Sequence, residues 1–216
     1  MLECHMKNLT HKISYKSQLS LALLFSILLL SSCGNNNTAA TCDEKEYCFI
    51  FVTNTTSAGK LDIVTVDGNG IAEADAICND DANKTNNSNY KALIVDGTNR
   101  QACDKNSCLT SSSAQLDWPL KALQEYRQTD GTTIIGTTNA SGVFDFPLDN
   151  KFTTATVSSW TGLGLNFQND AVNCTEWTDN SNGVYGDQSS LTSSSINNGG
   201  NGCANSQHLI CVEQLN

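Results

Sequence analysis

Basic side chains are scarce in this chain: 12 Lys and Arg stand against 22 Asp and Glu, and only three histidines occur in 216 residues. A surface so short of cations repels nucleic acid, heparin-like polyanions and phosphate-rich ligands, and it steers a basic partner inward. His5 and His11 precede the apolar segment described below, so His208 alone is left for the folded part. That leaves no spare imidazole base for a serine or cysteine nucleophile. Gly-x-Ser-x-Gly elbows, P-loops and His-Glu-x-x-His helices are also missing, so the reading is of a non-enzyme with no catalytic residue and no cofactor. Paired CxxC motifs are absent, and with them the usual frame of a zinc site. Nowhere is there an apolar run of the roughly 20 residues that a spanning helix needs.

What is there begins with Lys7, Lys12 and Lys16, followed by the apolar run Leu19 to Leu30. A basic segment ahead of a short apolar core is the order of an export signal. The run ends in Leu30-Ser31-Ser32-Cys33-Gly34, which resembles the bacterial lipobox, where the cysteine is acylated and becomes the N-terminus. Residues 1–32 are therefore expected to be a lipoprotein signal peptide and Cys33 the lipidation site. Acyl chains contribute roughly 0.8 kcal/mol per buried methylene, so two or three hold a domain on a membrane without any spanning segment. The signal takes Lys7, Lys12, Lys16 and Glu3 with it, leaving 184 residues with 9 basic and 21 acidic groups, a formal charge of −12. The length suffices for one domain with its own core.

With Cys4 in the signal and Cys33 acylated, eight cysteines remain: Cys42, Cys48, Cys78, Cys103, Cys108, Cys174, Cys203 and Cys211. An even number in an oxidising compartment reads as four disulfides rather than a metal site, with 105 possible connectivities. Locality favours Cys42 with Cys48 and Cys103 with Cys108.

Residues 33–46 are polar and aperiodic and read as the lipidated N-terminus and a flexible tether, with a single domain over 47–216. Cys48 to Thr53 is aromatic and β-branched, a strand buried on both faces. Asp67-Gly68-Asn69-Gly70 reads as a turn and helix cap; as a calcium loop it would have Thr65 and Ala76 where carboxylates belong. Ile71, Ala74, Cys78 and Ala82 follow at helical spacing, placing Cys78 on a buried stripe. Strands are predicted at Tyr90 to Val95, Thr132 to Thr137, Val143 to Phe146 and His208 to Val212. Between them lie polar loops, notably Thr98 to Gln115 and the Gly/Ser/Asn-rich stretch Asp179 to Gly202, which are the candidate ligand surface. One helix, short strands and long bridged loops make an α+β domain.

The landmarks Ser159-Trp160-Thr161-Gly162, Cys174-Thr175-Glu176-Trp177, Cys203 and Leu209-Ile210-Cys211-Val212-Glu213 resemble endostatin, a divergent relative of the C-type lectin fold. Gly70 to Cys78 and Tyr90-Lys91-Ala92-Leu93 are similar to that family's first helix and next strand. The resemblance implies an endostatin-like fold of short twisted antiparallel strands, with nested bridges Cys78–Cys211 and Cys174–Cys203. Trp160, Trp177, Leu209 and Ile210 are expected in the core, while Trp118 could anchor a partner. Joined to a lipobox, the domain resembles the leptospiral endostatin-like proteins, spirochaete surface lipoproteins associated with laminin, fibronectin and factor H, and their relatives, a bacterial lipoprotein family of unknown function.

Animal endostatins bind zinc through histidines near their start and heparin through an arginine-rich face. Here only Arg100, Arg127 and His208 are present outside the signal, so neither activity is expected, and His208 reads as structural. The Glu-Pro-Asn and Trp-Asn-Asp motifs of calcium-dependent lectins are missing. The expectation is a lipid-anchored adhesin or complement-regulator binder on the outer membrane and cell surface; the alternatives are a periplasm-facing envelope lipoprotein with no host ligand and a carbohydrate-binding lectin. Replacing Cys33 with Ser is expected to abolish incorporation of labelled palmitate and shift the protein from the detergent phase to the aqueous phase; retained label would rule out this cysteine as the anchor.

Overall fold

The computed structural model describes Cys42 and residues 45–61, 69–103, 107–109 and 114–215; the expected signal peptide and Cys33 lie outside these residues. Strand β1, Tyr47–Val52, alternates strictly in what it buries. Cys48, Ile50 and Val52 enter one apolar cluster. Phe49 and Phe51 enter a second one on the opposite face. A strand flanked by two cores needs an almost unbroken apolar run, which this one has.

Among the described residues nine further strands follow: β2 Ser57–Ala58, β3 Tyr90–Ala92, β4 Glu125–Arg127, β5 Ile134–Thr137, β6 Ser158–Trp160, β7 Asn182–Asp187, β8 Gly199–Gly202, β9 Ser206–Gln207 and β10 Ile210–Glu213. The main sheet has the order β3-β10-β1-β4-β5, a three-stranded sheet the order β6-β7-β8, and β2 pairs with β9. β1 runs antiparallel to β10, with Phe51 opposite Cys211, and parallel to β4. The chain is α+β.

Helix α1, Gly70–Asp80, starts where the Asn69 side chain accepts the Ile71 N–H at 3.0 Å. This is the N-cap that the turn sequence calls for. The helix stops at Asp81, whose backbone is extended and whose carboxylate accepts the Asn54 N–H at 3.0 Å and the Asn83 N–H at 2.9 Å. Ile71, Ala74 and Cys78 face the second core.

The helix also closes the outer edge of β3. Asn79 donates to the Tyr90 carbonyl at 2.8 Å and accepts the Tyr90 N–H at 3.0 Å. Asp75 accepts the Ala92 N–H at 2.8 Å, and Arg100 donates to the Ala92 carbonyl at 2.9 Å. An edge whose N–H and C=O groups are all engaged offers nothing to a passing strand.

The bridges are Cys42–Cys48, Cys78–Cys211, Cys103–Cys108 and Cys174–Cys203, the pairing that locality and the resemblance imply. Three sequence expectations need correction. Packing begins before Tyr47, because Cys42 is buried in its bridge and Lys45 reaches the last strand. Val143 to Phe146 is not a strand: apart from one isolated bridge between Thr138 and Phe144, it is core filling, with the Phe144 ring edge-on to Tyr126 and Phe152. The stretch Asp179 to Gly202 is not one continuous loop, since it contains β7 and β8, with a 3-10 turn at Ser193–Ser195 between them.

The Cys78–Cys211 bridge spans 133 residues and Cys103–Cys108 only 5. On chain entropy they contribute about 5 and about 2 kcal/mol. Urea unfolding of the Cys78→Ala/Cys211→Ala double variant is expected to show the larger loss; an equal or smaller loss than for Cys103→Ala/Cys108→Ala would contradict the entropic account.

Candidate binding surface

The two segments singled out as ligand surface meet at an unusual turn. In Cys174–Trp177, here α2, four consecutive non-glycine residues have φ of 56°, 50°, 59° and 64°. Trp177 N–H donates to the Asn173 carbonyl at 2.8 Å and Thr178 N–H to the Cys174 carbonyl at 3.0 Å, so this is one turn of left-handed helix. Such a backbone costs about 1–2 kcal/mol per residue, and surrounding contacts must hold it. Cys174 is bridged to Cys203. The Trp177 indole donates to the Val95 carbonyl at 2.9 Å. Asn173 accepts the Glu176 N–H and donates to the Asp96 carbonyl, both at 3.0 Å.

Close packing completes the clamp. A Cβ on Gly183 would lie 2.6 Å from Cys174 Sγ, and one on Gly70 would lie 2.4 Å from Trp177 Cβ. Trp160 packs against Trp177 with ring centroids 5.9 Å apart, both fully buried. Leu209 and Ile210 are buried with them, and so is Trp118, whose indole donates to the Gly142 carbonyl at 2.8 Å. No tryptophan is left to anchor a partner.

The exposed side of the turn is acidic and ordered. Thr98 Oγ1 donates to Glu176 at 2.7 Å, joining the first of these segments to the turn. Asp179 accepts from Thr175 Oγ1 at 2.7 Å and from the Ser181 N–H at 2.8 Å. The Ser181 side chain and backbone, then Thr175, hold its carboxyl below the usual carboxylate range, with Lys60 adding to the effect. Thr98 itself belongs to a turn built on Asp96, whose Oδ1 accepts the N–H groups of Thr98, Asn99 and Arg100 at 2.7 to 2.9 Å.

Arg100 anchors this turn from beneath. Its side chain is fully buried and meets Asp75 through two hydrogen bonds, 2.8 and 2.7 Å. Asp117 takes the other side through Nε at 3.1 Å and through Nη2, and it also receives Lys91. Burial opposes the guanidinium's charge, but the carboxylates of Asp75 and Asp117 outweigh it and raise its pKa. Arg127 is likewise engaged, with Glu125 at 2.6 Å and the Tyr47 ring at 4.1 Å. His208 Nδ1 lies 2.7 Å from the Thr53 carbonyl in a structural contact.

Among the described residues no group of three or more His, Cys, Asp or Glu could hold a metal ion, and no helix is long and apolar enough to cross a membrane. Clefts of 290 and 330 Å³ open beside Trp118 and beside Lys151. They sit at the lower end of the range for small-molecule sites. What the α2 region offers is a rigid polar face rather than a pocket.

A family model described as a protein of unknown function, DUF1554, matches residues 63–194. No curated protein matches the chain. The matched span is narrower than the folding unit, because it excludes β1 and β10, and because Cys78–Cys211 and Cys174–Cys203 each run from inside it to a partner beyond it.

Burial works against the Asp117 charge, yet the hydrogen bonds from Lys91 and Arg100 prevail and lower its pKa. A folded-state value below the unfolded value of about 3.9 stabilises the fold fully above that pH, and the contribution fades as pH falls through the folded value. Asp117→Asn is therefore expected to lose about 1 kcal/mol at pH 7, a figure that allows for solvent screening. The deficit should shrink as the pH falls below about 3.9; a deficit unchanged there in urea unfolding would show that the charge is not its source.

Proposed function

The chain belongs to the DUF1554 family, and we propose that it is a lipid-anchored surface lipoprotein whose endostatin-like, C-type-lectin-like domain is a non-enzymatic binding module for a host protein. One observation carries this reading: segments almost eighty residues apart are joined, Thr98 to Glu176, on a left-handed turn fixed by a disulfide and a buried tryptophan. Strained, over-determined backbone of this kind accumulates at functional sites, and a prearranged face loses less ordering entropy on binding. The acidity of Glu176 and Asp179 selects a basic patch on the partner, with the charge acting chiefly on association rate. The lipobox at Cys33 and the resemblance to leptospiral endostatin-like proteins point to laminin, fibronectin and factor H as the partners to test.

Full-length protein is expected to bind at least one of the three saturably, with affinity falling as salt rises. Glu176→Gln/Asp179→Asn should weaken binding by about 3- to 10-fold, as loss of rim charges does. No saturable binding to any of them rejects the host-binding reading. Digestion by protease added to intact cells is expected as well; protection in intact cells together with digestion after lysis would favour the periplasm-facing alternative.

A further inference from the structure

A second cluster, remote from α2, places the parts of an amide-forming reaction together in the interior. Glu213, on the last strand, is buried and carries a different pair of residues on each oxygen. Its Oε2 receives Lys45 Nζ at 3.0 Å and the Phe49 N–H at 2.8 Å. Its Oε1 receives Asn86 Nδ2 at 2.6 Å and Ser88 Oγ at 2.8 Å. The side chains of Lys45 and Glu213 are 8% and 0% exposed, and Lys45 Nζ lies 3.5 Å from the centre of the Phe49 ring. Asn86 Oδ1 in turn accepts the Tyr90 hydroxyl at 3.1 Å and the Ser88 N–H at 3.2 Å. Burial first, and then the Glu213 carboxylate, push the Tyr90 phenol pKa upward, so its hydroxyl stays protonated as a donor.

We infer that Lys45 and Asn86 become joined by a side-chain isopeptide bond, with Glu213 as the proton carrier and Tyr90 with the Ser88 N–H as the oxyanion hole. An amine nucleophile and an amide sit on the two oxygens of one buried carboxylate, and two donors point at the oxygen where negative charge would develop. Water is excluded, which favours proton transfer within the cluster over solvation of its ions.

The steps balance without any further reagent. Lys45 Nζ gives one proton to Glu213, and its freed lone pair forms a bond to Asn86 Cγ, moving charge onto Oδ1. Glu213 delivers the proton through Oε1 to Nδ2. The Cγ–Nδ2 bond then breaks, its electron pair leaving with nitrogen as ammonia. The surplus proton on Nζ departs with that ammonia as ammonium, and an amide remains. The product would cross-link the segment that enters the domain to the strand region beside β10, a covalent tie in addition to the four disulfides.

The test is intact mass and peptide mapping of the purified full-length protein. The link removes one ammonia, about 17 Da, and blocks trypsin at Lys45. After reduction and digestion, a peptide continuing through Lys45 is expected to be joined to the peptide of residues 85–91. Succinimide formation at the Asn-Gly pairs has the same mass but leaves linear peptides, so the branched species separates the two. Glu213→Gln and Asn86→Ala are expected to retain the unlinked mass. Wild-type protein that yields a linear peptide ending at Lys45 and a free peptide 85–91 overturns the proposal, and so does equal linkage in the Glu213→Gln variant; the wild-type map decides even where a variant fails to fold.

Discussion

The pairing of β1 with β10 is the constraint on which the other elements depend. These strands come from the two ends of the domain, with Ile50 opposite Val212 and Val52 opposite Ile210. Both are buried on both faces, so each separates the two cores while contributing to them. β10 also carries Cys211 to the helix and Glu213 to Lys45, Asn86 and Ser88. Closing a loop of this length is entropically costly before any contact rewards it. The longest bridge, from Cys78 to Cys211, opposes the same cost by restricting the unfolded chain. The residues matched by the family model, 63–194, hold much of the candidate binding face but neither of the strands that organise it.

Legibility in the sequence followed whether an element buries its own side chains or is buried by others. β1 was readable because its apolar residues are the core. The helix was readable because Ile71, Ala74 and Cys78 repeat at its period and Asn69 caps it. β7 and β8 were not, since Gly183, Gly186, Gly199 and Gly200 bring no apolar side chain; Gly183 is covered by Cys174, Trp160 and Trp177 and Gly186 by Ser195 and Ile196, all outside the two strands. Val143 to Phe146 showed the converse, with strand-like residues used as packing between loops. The left-handed turn at Cys174 to Trp177 left no local signal at all. Thr175 and Glu176 are neither glycine nor asparagine, and what holds them is a distant bridge and a distant carbonyl.

Arg100 carried no structural expectation from the sequence, where it counted only as one of two arginines too few for a heparin-binding face. It is buried among Asp75, Asp117 and the Ala92 carbonyl. A buried guanidinium tolerates its site only when its donors are met, and removing one partner leaves a strong penalty. The cluster therefore acts as a register pin between α1, β3 and the turn that presents Thr98. Both the candidate binding face and the sheet edge rest on the same side chain.

The formal charge of −10 overstates the field that a partner would meet. Asp75 and Asp117 are neutralised by Arg100 and Lys91 together, and Glu213 is paired with Lys45. Asp81 and Asp96 are turned onto backbone N–H groups, where their charge orders a helix end and a turn. Glu176 and Asp179 differ from the ion-paired carboxylates because their hydrogen bonds come from neutral donors, and from Asp81 and Asp96 because they are not buried. Charge that is already paired steers nothing, since opposite signs cancel within a few ångströms and salt screens what remains beyond about 10 Å. Part of the attractive field for a basic ligand thus lies where the backbone is most tightly fixed, alongside other exposed carboxylates such as Asp145 and Asp149.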